Sequence, residues 1–127
     1  MTDTKLSSKE RQRLKEFVDT YLDKRYKMDW NVIKLSKADG KAHNQMVANV
    51  CIWCIHNDIP FLTQCRFNSG YRPDIICPVR LPKPIVEVRN TETEKESKAK
   101  EVRIPEALKA SIVFVDANQE FKDKLIL

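Results

Sequence analysis

The chain has 127 residues, 42% of them hydrophobic and 32% charged. That suits one ordinary folded domain and excludes a wholly disordered chain. With only two glycines, glycine-rich phosphate loops of the P-loop or Rossmann kind are excluded, and no apolar run reaches the ~18 residues of a membrane-spanning helix. The net charge of +5 favours a polyanionic partner. Residues 1–42 hold 11 basic and 7 acidic groups, residues 43–90 hold 5 and 3, and residues 91–127 hold 7 and 8, so the positive excess lies in the first two thirds. The opening MTDTKLSSKERQRLKEF lacks an apolar signal core, so an intracellular, cytoplasmic address is expected.

Residues 8–26 predict an amphipathic helix, with Leu14, Phe17, Val18, Tyr21 and Leu22 at helical spacing and Ser7 or Ser8 as its cap. Residues 27–40 read as a connection with a short extended piece, broken at Asp39 and Gly40. Residues 41–57 predict a second helix whose apolar side chains cover most of its circumference, ended by Asp58 and Pro60. Four strands are then expected: Phe61–Phe67, Asp74–Val79, Ile85–Arg89 and Ser111–Asp116. The first two are joined by an Asn68-Ser69-Gly70 turn, and the next pair by a loop with two prolines. Thr91–Val102 opens with a T-x-x-E capping pattern and reads as a charged, solvated helix. Asn118–Leu125 is a candidate closing helix. Residues 1–40 thus form a helix and connection packed on a core of 41–127, within one domain overall. The class is α/β, with a mixed sheet of four strands flanked by helices.

Cys51, Cys54, Cys65 and Cys77 all sit in apolar runs and read as reduced core thiols. The Cys51–Cys54 spacing is half of a zinc pattern that the other two do not complete.

The informative stretch is GYRPDIICPVRLPKPIVEVRN, residues 70–90. Asp74 opens one strand, and Glu87 and Arg89 lie two apart on the next, hence on one face. A carboxylate pair from adjacent strands suits Mg²⁺ or Mn²⁺, hard ions that take oxygen ligands, and a cation beside it can stabilise developing negative charge. Glu87 stands among Ile85, Val86 and Val88, where an unpaired charge is costly. The plainer reading stays open: Asp74 starts a strand after a proline turn, and Glu87 pairs with Arg72 or Arg89. Arg66, Arg72, Arg80 and Lys83 surround these strands, and Tyr71 adjoins Arg72. Cations beside an aromatic suit phosphate and base contacts.

Pro73-Asp74 followed by Glu87-Val88-Arg89, within this order of elements, resembles the PD-(D/E)XK nuclease superfamily, including its small Holliday-junction-resolvase-like members. The resemblance covers roughly the last two thirds of the chain. It implies a restriction-endonuclease-like α-β-β-β-α-β core. It also implies a metal-dependent phosphodiesterase in which Asp74 and Glu87 hold Mg²⁺ or Mn²⁺ and Arg89 supports the transition state. The implied partner is nucleic acid, DNA first, and a homodimer is a further expectation because so small a domain encloses a duplex poorly. Two departures stand out. Arg89 replaces the family's lysine and cannot act as a base, which turns attention to Lys95 and Lys98 on the following helix. The second helix lacks the family's glutamate and offers His43 instead, with Gln64 on the first strand as a further polar candidate. The alternative is therefore a nuclease fold without chemistry, serving as a nucleic-acid-binding or protein-assembly module.

Overall fold

The computed structural model describes residues 6–90 and 102–127. Helix α1, Ser8–Tyr21, begins with a reciprocal cap: Ser7 Oγ accepts from the Glu10 N–H, and the Glu10 carboxylate accepts from the Ser7 N–H. The helix stops at Tyr21, short of the expected residue 26. Leu22 turns extended and bridges Phe67, and the Asp23 N–H donates to the Arg66 carbonyl. A distant strand edge thus outcompetes the continuing helical pattern.

The connection lies along the first strand rather than looping free. Thr63 Oγ1 donates to the Val32 carbonyl and accepts from the Lys34 N–H, while the Asn31 N–H donates to the Phe61 carbonyl. A short 3-10 turn, Lys37–Asp39, capped by the Ser36 hydroxyl, leads through Gly40, whose φ of 84° favours glycine, into helix α2, Lys41–His56. Helix α2 buries Met46, Val47, Val50, Cys51 and Cys54. That is one stripe, not most of the circumference: Ile52 and Ile55 are each 47% exposed. Asp58, in the left-handed region, closes the helix, with the Ile59 N–H donating to the Cys54 carbonyl and the Asp58 N–H to that of Ile55.

The sheet is four-stranded and mixed, as the expected α/β class requires. Strands β1 (Leu62–Thr63), β2 (Ile75–Ile76), β3 (Ile85–Arg89) and β4 (Ile112–Asp116) lie in that spatial order. β1–β2 and β2–β3 are antiparallel, and β3–β4 is parallel. The Asn68–Gly70 turn is present, with the Gly70 N–H donating to the Phe67 carbonyl. β1 and β2 are much shorter than expected. Gln64 ends β1 by turning left-handed, and Pro73 lacks the N–H that would extend β2 at its start. The expected helix at 91–102, carrying Lys95 and Lys98, lies outside the described residues except for Val102. The closing element is a 3-10 turn, Asp123–Leu125, not a helix over 118–125.

Alternation along the strands makes two cores. Ile75, Cys77, Val86, Val88 and Val115 face α2. Leu62, Ile76, Ile85 and Ile112 join Leu22, Phe67, Tyr71, Ile104 and Leu108 on the other face, with Phe17, Val18 and Tyr21 of α1 packed against them. Among the described residues, no helix is long and apolar enough to cross a membrane.

Candidate functional site

The β2–β3 ladder pairs Ile75 with Val86 and Ile76 with Ile85. The next step would set Asp74 opposite Glu87, and there side chains take over from backbone. The Asp74 N–H donates to Glu87 Oε1 at 2.7 Å, and the Val88 N–H donates to Asp74 Oδ2 at 2.7 Å. Each carboxylate, 13 residues from the other in sequence, therefore binds the other's strand at the same end of the ladder.

Glu87 is only 3% exposed. It shares a strand face with Ile85, in the core that holds Tyr71. The Tyr71 hydroxyl is buried and lies close enough to Glu87 to feel its charge. Burial first, and the Glu87 carboxylate second, push the phenol far above its usual range.

Asp74 also faces α2. His43 stands in the helix's first turn, and its Nε2 lies 3.1 Å from Asp74 Oδ1. A carboxylate only accepts, so Nε2 carries the proton in this bond. A helix N-terminus also favours a nearby carboxylate.

A cleft of about 490 Å³ opens on Asp74 and His43, and Glu87 is not in its lining. One wall is the connection, with Tyr26, Lys34, Leu35 and Ser36. His43, Asn44 and Val47 of α2 form another, and Gln64, Arg66, Arg72, Pro73 and Asp74 complete it, with Asp39 at the edge. Lys34 is held by Asp29 at 2.7 Å. Arg66 donates to the Tyr26 hydroxyl at 2.7 Å, and its guanidinium lies 5.1 Å from that ring's centre. Arg72 is exposed and has no ion pair or hydrogen bond among the described residues. Gln64 holds a φ of 51°, a conformation that costs a non-glycine residue about 1–3 kcal/mol and concentrates at ligand sites.

The other described sequence candidates do not line the cleft. The Arg89 guanidinium stacks 3.7 Å over the Phe114 ring. Arg80 forks onto the Glu10 carboxylate, with Nε at 2.7 Å, and donates to the Asp58 carbonyl. It ties α1 to the end of α2 and does not line the cleft. Tyr71 is 1% exposed and stacks edge-on to Phe67, so it is a core residue and not a platform for a base. Lys83 is exposed in the β2–β3 loop, away from the cleft lining. Lys95 and Lys98 lie outside the described residues. Sequence reasoning missed Tyr26 and Lys34, although Arg25-Tyr26-Lys27 is itself an aromatic set between cations.

Among the described residues, no group of three or more His, Cys, Asp or Glu side chains is gathered as a ready-made metal cage. The four cysteines are free and buried, with Cys54 and Cys77 sulfurs 3.8 Å apart. Burial pushes the Cys65 thiol up to about 12, which keeps it protonated and unsuited to nucleophilic or ligand roles. No family model, curated protein or solved structure matches the chain.

Proposed function

We propose that this chain is a metal-dependent nucleic-acid phosphodiesterase of PD-(D/E)XK type with a restriction-endonuclease-like core. The observation that carries this reading is the meeting of Asp74 and Glu87 at the end of the β2–β3 ladder, beside a cleft that bears Arg66 and Arg72. The order helix, three strands, crossover, parallel strand supports it further.

The donor set fits a hard divalent ion. Mg²⁺ is commonly held by one or two carboxylates, with water and substrate phosphate completing its shell, so the lack of a larger cage is consistent with it. Asp74 and Glu87 would hold the ion. Bound there, it would polarise a phosphodiester and acidify a water. The chain's own part is positional. The Val88 N–H and His43 fix the Asp74 carboxylate, the Asp74 N–H fixes Glu87, and Arg72 supplies an open cation for a phosphate.

The test is cleavage of DNA and RNA with Mg²⁺ or Mn²⁺ by the native chain and by Asp74→Asn and Glu87→Gln, which keep an acceptor for the backbone N–H groups. Both variants should stay folded and lose more than about a hundredfold of the rate, beyond what outer-shell changes usually remove. Undiminished cleavage in both would overturn the assignment.

One observation favours a second reading, a binding module without chemistry. Arg89 stands where the family has lysine, and its guanidinium is stacked on Phe114. That reading expects salt-sensitive nucleic-acid binding and no metal-dependent cleavage.

A further inference from the structure

The cleft beside Asp74 has a feature that a duplex cannot use. Tyr26 stands at its wall 41% exposed, with the Arg66 guanidinium over the ring and Arg66 Nη1 bonded to the hydroxyl. This pins an aromatic ring in an open position. Aromatic rings held beside cations are where unpaired bases stack, because every base has a π face and the adjoining phosphates find the cations.

The cleft's size limits what can reach that ring. At about 490 Å³ it is of small-ligand scale, the scale of one nucleotide. A base held within a duplex keeps its faces against its neighbours and must leave the stack to meet a side chain. Tyr26 and Asp74 line the same cleft, and Arg72, with no partner among the described residues, lies in the same lining.

We infer that this cleft binds an unpaired nucleotide of a single strand, with the base stacked on Tyr26 and the backbone phosphates on Arg66 and Arg72. The inference rests on the nucleic-acid reading above and deepens it by naming the form of the substrate. Gln64, also in the lining, carries an amide that can both donate to and accept from a base edge, whereas the Asn44 amide already donates to the Ser36 carbonyl.

The experiment is fluorescence anisotropy with a labelled single-stranded DNA of mixed sequence and with the blunt duplex of that sequence. It uses the full chain in chelator, so that neither metal nor cleavage enters. The single strand should bind at least about tenfold more tightly than the duplex. Tyr26→Ala should weaken single-strand binding about tenfold, within the range of one lost base stack, and leave duplex binding unchanged. Tyr26→Phe, which keeps the ring, should remain within about twofold of the native chain, again because stacking needs only the π face. Equal affinity for both forms, or a Tyr26→Ala chain that binds the single strand as the native one does, would overturn the inference. Single-strand preference without any metal-dependent cleavage would sustain it while overturning the phosphodiesterase reading. Cleavage confined to duplex, indifferent to Tyr26→Ala, would do the reverse.

Discussion

Asp74 and Glu87 hold each other's strands: the Asp74 N–H rests on the Glu87 carboxylate, and the Asp74 carboxylate takes the N–H of Val88, the residue after Glu87. The pair proposed to bind a metal is therefore also what continues the β2–β3 ladder past the point where Pro73 can offer no N–H. Alanine at either position confounds chemistry with folding, and isosteric amides do not.

Asp74→Ala strips the acceptor from the buried Val88 backbone. An unsatisfied buried donor costs about 1–3 kcal/mol, so the unfolding free energy should fall by that amount, read as a lower urea midpoint with an unchanged slope. Asp74→Asn retains an oxygen for the same N–H and should lose less than about 1 kcal/mol, the worth of an ordinary hydrogen bond. Equal losses in the two variants would show that Val88 does not depend on this acceptor.

The Glu10–Arg80 pair sets an acid limit on the docking of α1. The Arg80 hydrogen bonds, then the Ser7 N–H, lower the Glu10 carboxyl from 4.5 to about 2. A group depressed on folding adds stability that is present above its unfolded value and lost as pH falls through its folded one. The native chain should therefore be more stable than Glu10→Gln at neutral pH, and the difference should close between about pH 4.5 and 2. The pair is solvent-accessible, so added salt should also narrow the difference. Urea melts of both chains across that range read the effect directly. A difference that persists unchanged at pH 2 would assign it to capping geometry instead of charge.

How far the fold could be read from sequence depended on whether local pattern or distant contact decided each element. β3 is found at Ile85–Arg89 as expected, because the β-branched Ile85, Val86 and Val88 behind Pro84 leave few alternatives. The cap of α1 was legible to within one residue, as Ser7 or Ser8, because it is wholly local. The end of α1 was not: Leu22 continues the helical period, and only its pairing with Phe67 removes it. In α2, Ile52 and Ile55 are as apolar as their buried neighbours, and nothing in the pattern said that only one side meets a sheet. The candidate site divides the same way. Asp74 and Glu87 were visible through strand parity and a proline boundary. The cleft was not visible, because its Tyr26–Ser36 wall is laid along β1 by hydrogen bonds to Phe61 and Thr63. Tyr71 misled for a related reason: it adjoins exposed Arg72, yet the chain direction after Gly70 turns its ring into the core against Phe67.

Arg89 yields a sharper test of the proposed chemistry than deletion would. A guanidinium stays protonated at any pH an enzyme meets, and Phe114 fixes it by stacking at 3.7 Å. Its contribution can then only be a permanent positive charge, and the native cleavage rate should show no alkaline limb from this position. Arg89→Lys substitutes an ammonium that titrates near 10.4 when unperturbed. A lysine in the same electrostatic role should give a rate that follows the native profile at neutral pH and falls above about pH 10, where its charge is lost. A rise with pH that the native chain does not share would mean that the new amine works as a base, and that position 89 is a proton-transfer site which arginine keeps silent. The pH–rate profiles of the two chains, measured at saturating Mg²⁺, separate the outcomes. A native profile with its own alkaline fall near pH 10 would remove Arg89 from the explanation.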